Sequence, residues 1–283
     1  MALIAHTWMN IVVLITNSDC DYFGSGFLVL VKTRSGHGRL FLVTARHVLC
    51  GKKKIGEKWK AREEIVLFLH KKEVDPNSLL TTSKEMVQTT PPCTFKGIDE
   101  SIYRIHRDEN IDLAILEVTK ILLERTEYSA KGLTLNYFAE NDKLVELDLT
   151  AGEDVYILGY PNQINTDDKI TIGASPVLDR DICLPIIKSG TLATRLGKKD
   201  KHFYVDCLSL EGSSGSPIFS KRIFPPNDGQ SLSSKHFLLG MVTNTGLVDA
   251  PYKRDGESYY FAYSGLTLAV DAVAIKEVIS LFF

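Results

Sequence analysis

"LEGSSGSPIF", Leu210–Phe219, sets Gly212, Ser213, Ser214, Gly215, Ser216 and Pro217 between the strand-like "FYVDCLSL" of Phe203–Leu210 and the apolar residues that follow Pro217. Turn-forming composition alone fits a surface turn as well as a turn that aims a serine hydroxyl at a substrate. The rest of the chain separates the two. A serine that attacks a carbonyl needs a general base, a carboxylate to hold that base, and amide donors facing the oxyanion that develops.

The length of 283 residues, with 44% hydrophobic and 24% charged residues, suffices for one or two domains with substantial cores. A formal net charge of -2 gives no overall attraction for polyanions, and the basic run "GKKKIGEKWKAR" from Gly51 reads as a solvated loop, so no nucleic-acid partner is expected. The opening "MALIAHTWMNIVVLITNSDC" has no positively charged start and carries His6, Asn10 and Asn17. It reads as a first strand, not a secretory leader, and Asp19 before Cys20 does not suit a lipoprotein site. No apolar run approaches the roughly 20 residues of a membrane span, so no membrane association is expected. Cysteines at 20, 50, 93, 183 and 207 are odd in number and lack metal-type spacing. Reduced thiols in a cytoplasmic protein are expected, with neither metal nor cofactor.

Short apolar runs recur along the chain, among them "NIVVLIT", "GFLVLVK", "RLFLVTA", "EIVLFLH", "DLAILEV", "DVYILGY" and "HFLLGMVTN". Their Val, Ile, Leu, Phe and Tyr content and the Gly, Asn, Asp and Pro between them indicate an all-β chain. Helical spacing is clear only in the C-terminal "AVDAVAIKEVISLFF". Long loops are expected at Lys71–Lys96, Gln163–Asp168 and Arg222–Lys235, and the loss of strand periodicity between Thr126 and Asp142 marks a boundary between two halves, 1–130 and 131–283.

Searching outward from Ser214, "LFLVTARHVLCG" places His47 after an apolar strand and "ENIDLAILEV" places Asp112 before another, 65 (112 minus 47) and 102 (214 minus 112) residues apart in the order His47, Asp112, Ser214. His106 and Asp108 lie close before Asp112, and a rival triad could be drawn using Asp108. The apolar strand beginning at Leu113 favours Asp112, because an orienting carboxylate belongs at a strand edge.

"TARHVL", "DLAIL" and "GSSGSP" resemble the histidine, aspartate and GxSGxP nucleophile motifs of the trypsin-like (chymotrypsin-fold) serine peptidases. "GSGFLV" from Gly24, "GEDVYILGYP" from Gly152, "KSGTLA" from Lys188 and "HFLLGMV" from His236 extend the likeness over nearly the whole chain, closest to the bacterial-type branch without a disulfide framework. The resemblance implies two packed six-stranded antiparallel β-barrels and a C-terminal helix, with His47 and Asp112 on the half 1–130 and Ser214 on the half 131–283. It makes Ser214 the nucleophile, His47 the base and then acid, Asp112 the orienting carboxylate, and the amides of Gly212 and Ser214 the oxyanion hole. Glycine at 212 and 215 suits the unusual backbone angles of such a turn, and Pro217 suits the first residue of the outgoing strand.

By the same resemblance Leu208, six residues before the nucleophile, floors the primary specificity pocket, and Thr243, Asn244 and Thr245 line its wall. An apolar floor and Thr245 in place of a small glycine favour small or medium apolar residues before the cut. Asp206 or Asp249, if either reached the pocket, would favour basic ones. Ser213 stands where activation-dependent relatives carry an aspartate, so a site formed without a freed N-terminus, or gated by loops or a regulatory partner, is expected. The implied function is a serine endopeptidase acting on protein or peptide substrates. Two alternatives stay open: a non-catalytic peptide-binding scaffold of the same fold, and an esterase-like hydrolase using the same three residues. Cys50 and Cys207 read as small buried hydrophobes.

Overall fold

The computed structural model describes residues 8, 10–19, 22–33, 36–51, 58–69, 93–124, 131–140, 144–145, 148–161, 185–197, 201–221, 236–250 and 260–283, with the side chains of 123, 245–250 and 260–263 left aside. The expected loops at 71–92, 163–168 and 222–235, the basic residues 52–57, His70, Cys20, Cys183 and the N-terminal residues 1–7 therefore lie outside the described residues.

The first half is an eight-stranded sheet: β1 Val12–Thr16, β2 Gly24–Lys32, β3 Gly38–Thr44, β4 Glu64–Phe68, β5 Cys93–Lys96, β6 Tyr103–Ile105, β7 Ala114–Glu117 and β8 Leu133–Thr134. Its order is β5-β4-β1-β2-β3-β7-β6, antiparallel throughout, with β8 parallel to β2. Register follows the apolar runs, so that Leu28 faces Leu42 and Leu42 faces Leu116 across neighbouring strands. All five residues of β1 are buried, as a continuous apolar strand covered on both faces should be. This sheet curls without closing among the described residues. Cys93–Lys96, expected as the end of a loop, is an edge strand against β4.

The second half is a closed six-stranded barrel of β9 Asp154–Gly159, β10 Ile186–Leu192, β11 His202–Asp206, β12 Pro217–Ser220, β13 Leu238–Ala250 and β14 Tyr260–Asp271, in the order β10-β11-β14-β13-β12-β9. Alternation is plain in β11, where Phe203 and Val205 are buried between exposed Tyr204 and Asp206. They join Ile157, Leu192, Ile218, Val242 and Ala269 in the barrel core. The all-β two-barrel architecture is thus present, with the first barrel an open curl.

Among the described residues helices are few, with α1 Arg46–Cys50, α2 Thr119–Glu124 and the C-terminal α3 Ala272–Ser280. The two short ones are turns of five and six residues after strands, too brief to show helical periodicity in the sequence. Asp271 caps α3, its Oδ1 accepting from the Ala274 N–H at 2.9 Å. The buried side chains of α3, Ala272, Ala274, Ile275, Val278 and Ile279, belong to the core of the first sheet. The chain's last element therefore ties the second half to the first.

Candidate active site

Strand β3 ends at Thr44, and Ala45 in extended conformation (φ −68°, ψ 142°) opens α1, which carries His47. Gly51, at φ 75°, closes the helix and donates to the His47 carbonyl at 2.9 Å. Arg62 holds the same end, with Nε donating to the Val48 carbonyl at 2.9 Å and Nη2 to the His47 carbonyl at 3.4 Å. A cation placed on these carbonyls adds donors at a helix end, where few amides remain to serve them.

Asp112, between buried Ile111 and Leu113, directs both carboxylate oxygens at His47. Oδ2 lies 2.5 Å from the imidazole Nδ1 and Oδ1 accepts from the His47 backbone N–H at 3.0 Å. That contact places the proton of a neutral imidazole on Nδ1 and leaves the Nε2 lone pair available. The side chains are 45% exposed for His47 and 26% for Asp112, so the ring can reach a solvent-borne group while its carboxylate is sheltered. The rival Asp108 is engaged locally, its N–H donating to His106 Nδ1 at 3.1 Å and its Oδ1 accepting from the Asn110 N–H at 2.9 Å, while His106 Nε2 faces Glu277 Oε2 on α3 at 3.3 Å. Arg46, beside His47, steadies the same loop by donating from Nη2 to the Glu109 carbonyl at 2.7 Å while its guanidinium lies over the Trp59 ring at 4.4 Å.

The Ser214 turn is built from backbone hydrogen bonds. Ser213 N–H donates to the Leu210 carbonyl at 3.0 Å, Gly215 N–H to Val242 at 2.8 Å and Ser216 N–H to Ser213 at 2.9 Å. The N–H groups of Gly212 and Ser214 donate to no carbonyl among the described residues. Gly212 and Gly215 sit at φ 84° and 92°, and a Cβ on Gly215 would fall 1.8 Å from the Ser25 carbonyl oxygen. Only glycine meets both demands. Pro217 is the first residue of β12. The Ser214 hydroxyl donates to the Thr243 carbonyl at 3.3 Å, an acceptor other than His47.

Ser25, fully buried on β2, joins this turn to the first sheet. Its N–H donates to the Ser214 carbonyl at 2.8 Å and its Oγ to the Gly212 carbonyl at 2.7 Å. The same Oγ accepts from the Tyr160 N–H at 2.8 Å, and the Ser25 carbonyl accepts from Thr44 Oγ1 at 2.7 Å. Nothing in the motif "GSGFLV" by itself assigns Ser25 a role. The available signal was a polar residue between two glycines at the start of an otherwise apolar strand.

Of the residues expected to form the specificity pocket, Leu208 is 49% exposed, Thr243 is buried with Oγ1 donating to the Leu268 carbonyl at 3.2 Å, and Asn244 is exposed. Thr245 pairs with Thr267 along β13 and β14, and its side chain lies outside the described set. Asp206 ends β11 and is exposed, and the Asp249 side chain is not among those described. Lys188 on β10 donates from Nζ to the Leu208 carbonyl at 3.2 Å.

Cys50 and Cys207 are free thiols, and Cys93 is buried. Burial pushes the Cys50 thiol up to about 12 and the Cys207 thiol above its usual range. Among the described residues no three His, Cys, Asp or Glu side chains cluster as a metal site, and no helix is long and apolar enough to cross a membrane.

A structure of the Drosophila Grass clip serine protease of the Toll pathway superposes with TM-score 0.50 at 14% identity, covering 99% of this chain and 71% of that one. The structure of Deg5 gives TM-score 0.49 at 15% identity over 98% and 91% of the two chains. The serine endoprotease from Yersinia pestis gives 0.48 at 14% over 98% of this chain, which spans 64% of that one. Such identities speak to the fold alone. No curated protein matches the sequence. Residues 24–222 match the trypsin-like peptidase domain, and with that match covering well over half of its length the chain belongs to the trypsin-like peptidase family.

Proposed function

We propose that the protein is a serine endopeptidase in which Ser214 is the nucleophile, His47 the general base and acid, and Asp112 the carboxylate that orients the imidazole. The observation that supports this reading is the sorting of amides in the Ser214 turn: Ser213, Gly215 and Ser216 donate to backbone carbonyls, while the N–H groups of Gly212 and Ser214 donate to none among the described residues and would serve an oxyanion. On substrate binding the Ser214 hydroxyl leaves the Thr243 carbonyl for His47 Nε2. The Oγ–carbonyl bond then forms as the proton passes to His47, the tetrahedral oxyanion rests on the two amides, and the protonated His47 delivers its proton to the leaving amine. Water repeats the sequence on the acyl-enzyme and releases the acid. No cofactor takes part. In this reading the half 1–130 supplies the base, the half 131–283 supplies the nucleophile, and Thr243–Thr245 pair with an extended protein or peptide substrate.

The odd number of cysteines without metal-type spacing supports a reducing, cytoplasmic setting, and a regulatory partner acting on the loops expected at Lys71–Lys96 and Arg222–Lys235 would supply the restraint that Ser213 cannot. The parked Ser214 hydroxyl also suits the scaffold reading, and one experiment separates them. A fluorophosphonate should label the native protein and fail on Ser214→Ala. Peptide-bond turnover in a peptide library should fall by roughly 10³ or more in the same variant. Labelling that survives the substitution removes Ser214 as the nucleophile. No labelling of either protein favours the scaffold, and ester turnover without amide turnover favours the esterase.

A further inference from the structure

Asp112 is delivered by a short loop that side-chain packing does little to hold. Between buried His106 and buried Ile111, residues Arg107, Asp108, Glu109 and Asn110 are all exposed. Beside them opens a cavity of about 460 Å³, lined by His106, Asp108 and Ile111 from the first half and by Lys201, Glu277 and Val278 from the second. The shape of the loop therefore depends on its hydrogen bonds. His106 N–H donates to the Leu113 carbonyl at 3.1 Å, which closes the loop around Asp112, and Ile111 N–H donates to the Asp108 carbonyl at 3.1 Å. Two side chains then grip the exposed residues. Arg46 reaches the Glu109 carbonyl from α1, and His106 Nδ1 receives the Asp108 N–H.

An amide that donates to Nδ1 needs the lone pair there, so the proton of a neutral His106 resides on Nε2. Nε2 faces Glu277 Oε2 at 3.3 Å, an acceptor for that proton. Burial by itself would raise the Glu277 carboxyl, but hydrogen bonds from Lys201 and His106 hold it below the usual carboxylate range, so it is an anion at neutral pH. Lys201 Nζ bonds the same oxygen, and the Lys201 carbonyl accepts from the Asp271 N–H, at the start of α3, at 2.9 Å. A chain of contacts thus runs from the base of α3 through Glu277 and His106 to the loop. The two histidines hold opposite tautomers, each fixed by a carboxylate: Asp112 on His47 Nδ1 and Glu277 on His106 Nε2.

We infer that His106 is the positioning residue of the Asp112 loop: Glu277 fixes its tautomer, and its Nδ1 lone pair, by taking the Asp108 N–H, sets the turn that aims Asp112 at His47. This rests on the peptidase reading, in which His47 and Asp112 work as a pair. It gives α3 a part in the chemistry beyond covering the first sheet. With Nδ1 protonated or its acceptor removed, the Asp108 N–H loses its partner within the loop. The two bonds from Asp112 to His47 then weaken, and the imidazolium that forms as Ser214 attacks loses part of its support.

The test compares two amides that replace different parts of the ring. In His106→Asn the side-chain oxygen takes the place of Nδ1 and accepts from Asp108. In His106→Gln the amide takes the place of Nε2, keeps the contact with Glu277 and leaves the Asp108 N–H without its acceptor. Fluorophosphonate labelling should fall about tenfold in His106→Gln, the upper end for one neutral hydrogen bond, and recover to within about threefold of the wild type in His106→Asn. The downfield proton resonance of His47 Nδ1, which reads the Asp112 contact without any turnover, should vanish in His106→Gln and persist in His106→Asn. Nitrogen NMR shifts of wild-type His106 should show an unprotonated Nδ1 at a pH where the ring is neutral. Should His106→Gln fail to fold, the half-exposed Glu277 offers a second variant: Glu277→Leu should move protons onto His106 Nδ1 and lower labelling about threefold or more. Equal labelling by the Asn and Gln variants, a protonated Nδ1 in neutral wild-type His106, or a Glu277→Leu variant that matches the wild type in both readouts overturns the inference. If the wild type is not labelled at all, the peptidase reading fails instead, and the His47 resonance alone then decides whether His106 positions Asp112.

Discussion

Replacing Ser25 with alanine tests whether the nucleophile turn is held from the first sheet. The lost Oγ serves two groups, the Gly212 carbonyl at 2.7 Å and the Tyr160 N–H at 2.8 Å, inside a site with no solvent exposure. With Ser25 fully buried, bulk water does not reach the two groups that lose their partner. Each buried group left unpaired costs about 1–3 kcal/mol, which gives Ser25→Ala a destabilisation of about 2–6 kcal/mol. The Gly212 carbonyl would also lose the contact that fixes the peptide unit following the Gly212 N–H. Since removing one oxyanion donor outright costs about 10²–10³ in rate, a donor merely loosened should cost about 10–100-fold in fluorophosphonate labelling. Urea unfolding followed by fluorescence of Trp8 and Trp59, together with labelling rates in buffer where the variant is folded, reads both effects. Ser25→Cys, with a weak donor in place of the hydroxyl, should fall between. An Ala variant that unfolds within about 0.5 kcal/mol of the wild type and labels at the same rate would refute the reasoning.

Two further outcomes follow from buried titrating groups. Burial raises Asp271 from 3.8 to about 6, so the folded state binds more protons than the unfolded one between those values and stability falls as pH rises through that window. The cost is complete at neutral pH, at about 3 kcal/mol. Asp271→Asn keeps an oxygen for the Ala274 N–H and removes the ionisation, so its stability relative to wild type should rise by up to that amount between pH 4 and pH 8 in urea titrations. A pH-independent difference sinks the idea. Cys50, its thiol pushed up to about 12 by burial, should carry about one part in 10⁴ thiolate at pH 8. Mass spectrometry after brief iodoacetamide treatment should find it unmodified in the native protein and alkylated after denaturation. Rapid native alkylation would mean the thiol is exposed and reactive.

Legibility in the sequence tracked the range of the interactions concerned. The apolar runs of β1 to β4 and the alternation of β11 are local signals and read directly as strands. Tyr103–Ile105 and Leu133–Thr134 are too short to show a period, and they become β6 and β8 only through pairing with β7 and β2. The open curl of the first sheet was likewise invisible, because closure depends on edge strands meeting. At the site, residue types, motif order and the glycines of the turn were all readable. The choice between Asp108 and Asp112 rested on one strand boundary, and it is geometry that pairs His47 with Asp112 and His106 with Glu277.

By itself the sequence determined that the chain is β-rich, that Ser214 sits in a glycine-bounded turn before a strand begun by proline, and that a histidine and an aspartate flank apolar strands upstream. These properties reside in single side chains and in φ values that neighbouring residues impose. Tertiary structure alone decided which amides of the turn stay unengaged, that Ser25 anchors a turn 187 residues away, and that Lys188 brings a cation to Leu208. A hydrogen bond or a buried charge acts over a few ångströms of space, and no local pattern records which distant residues folding will place within that reach.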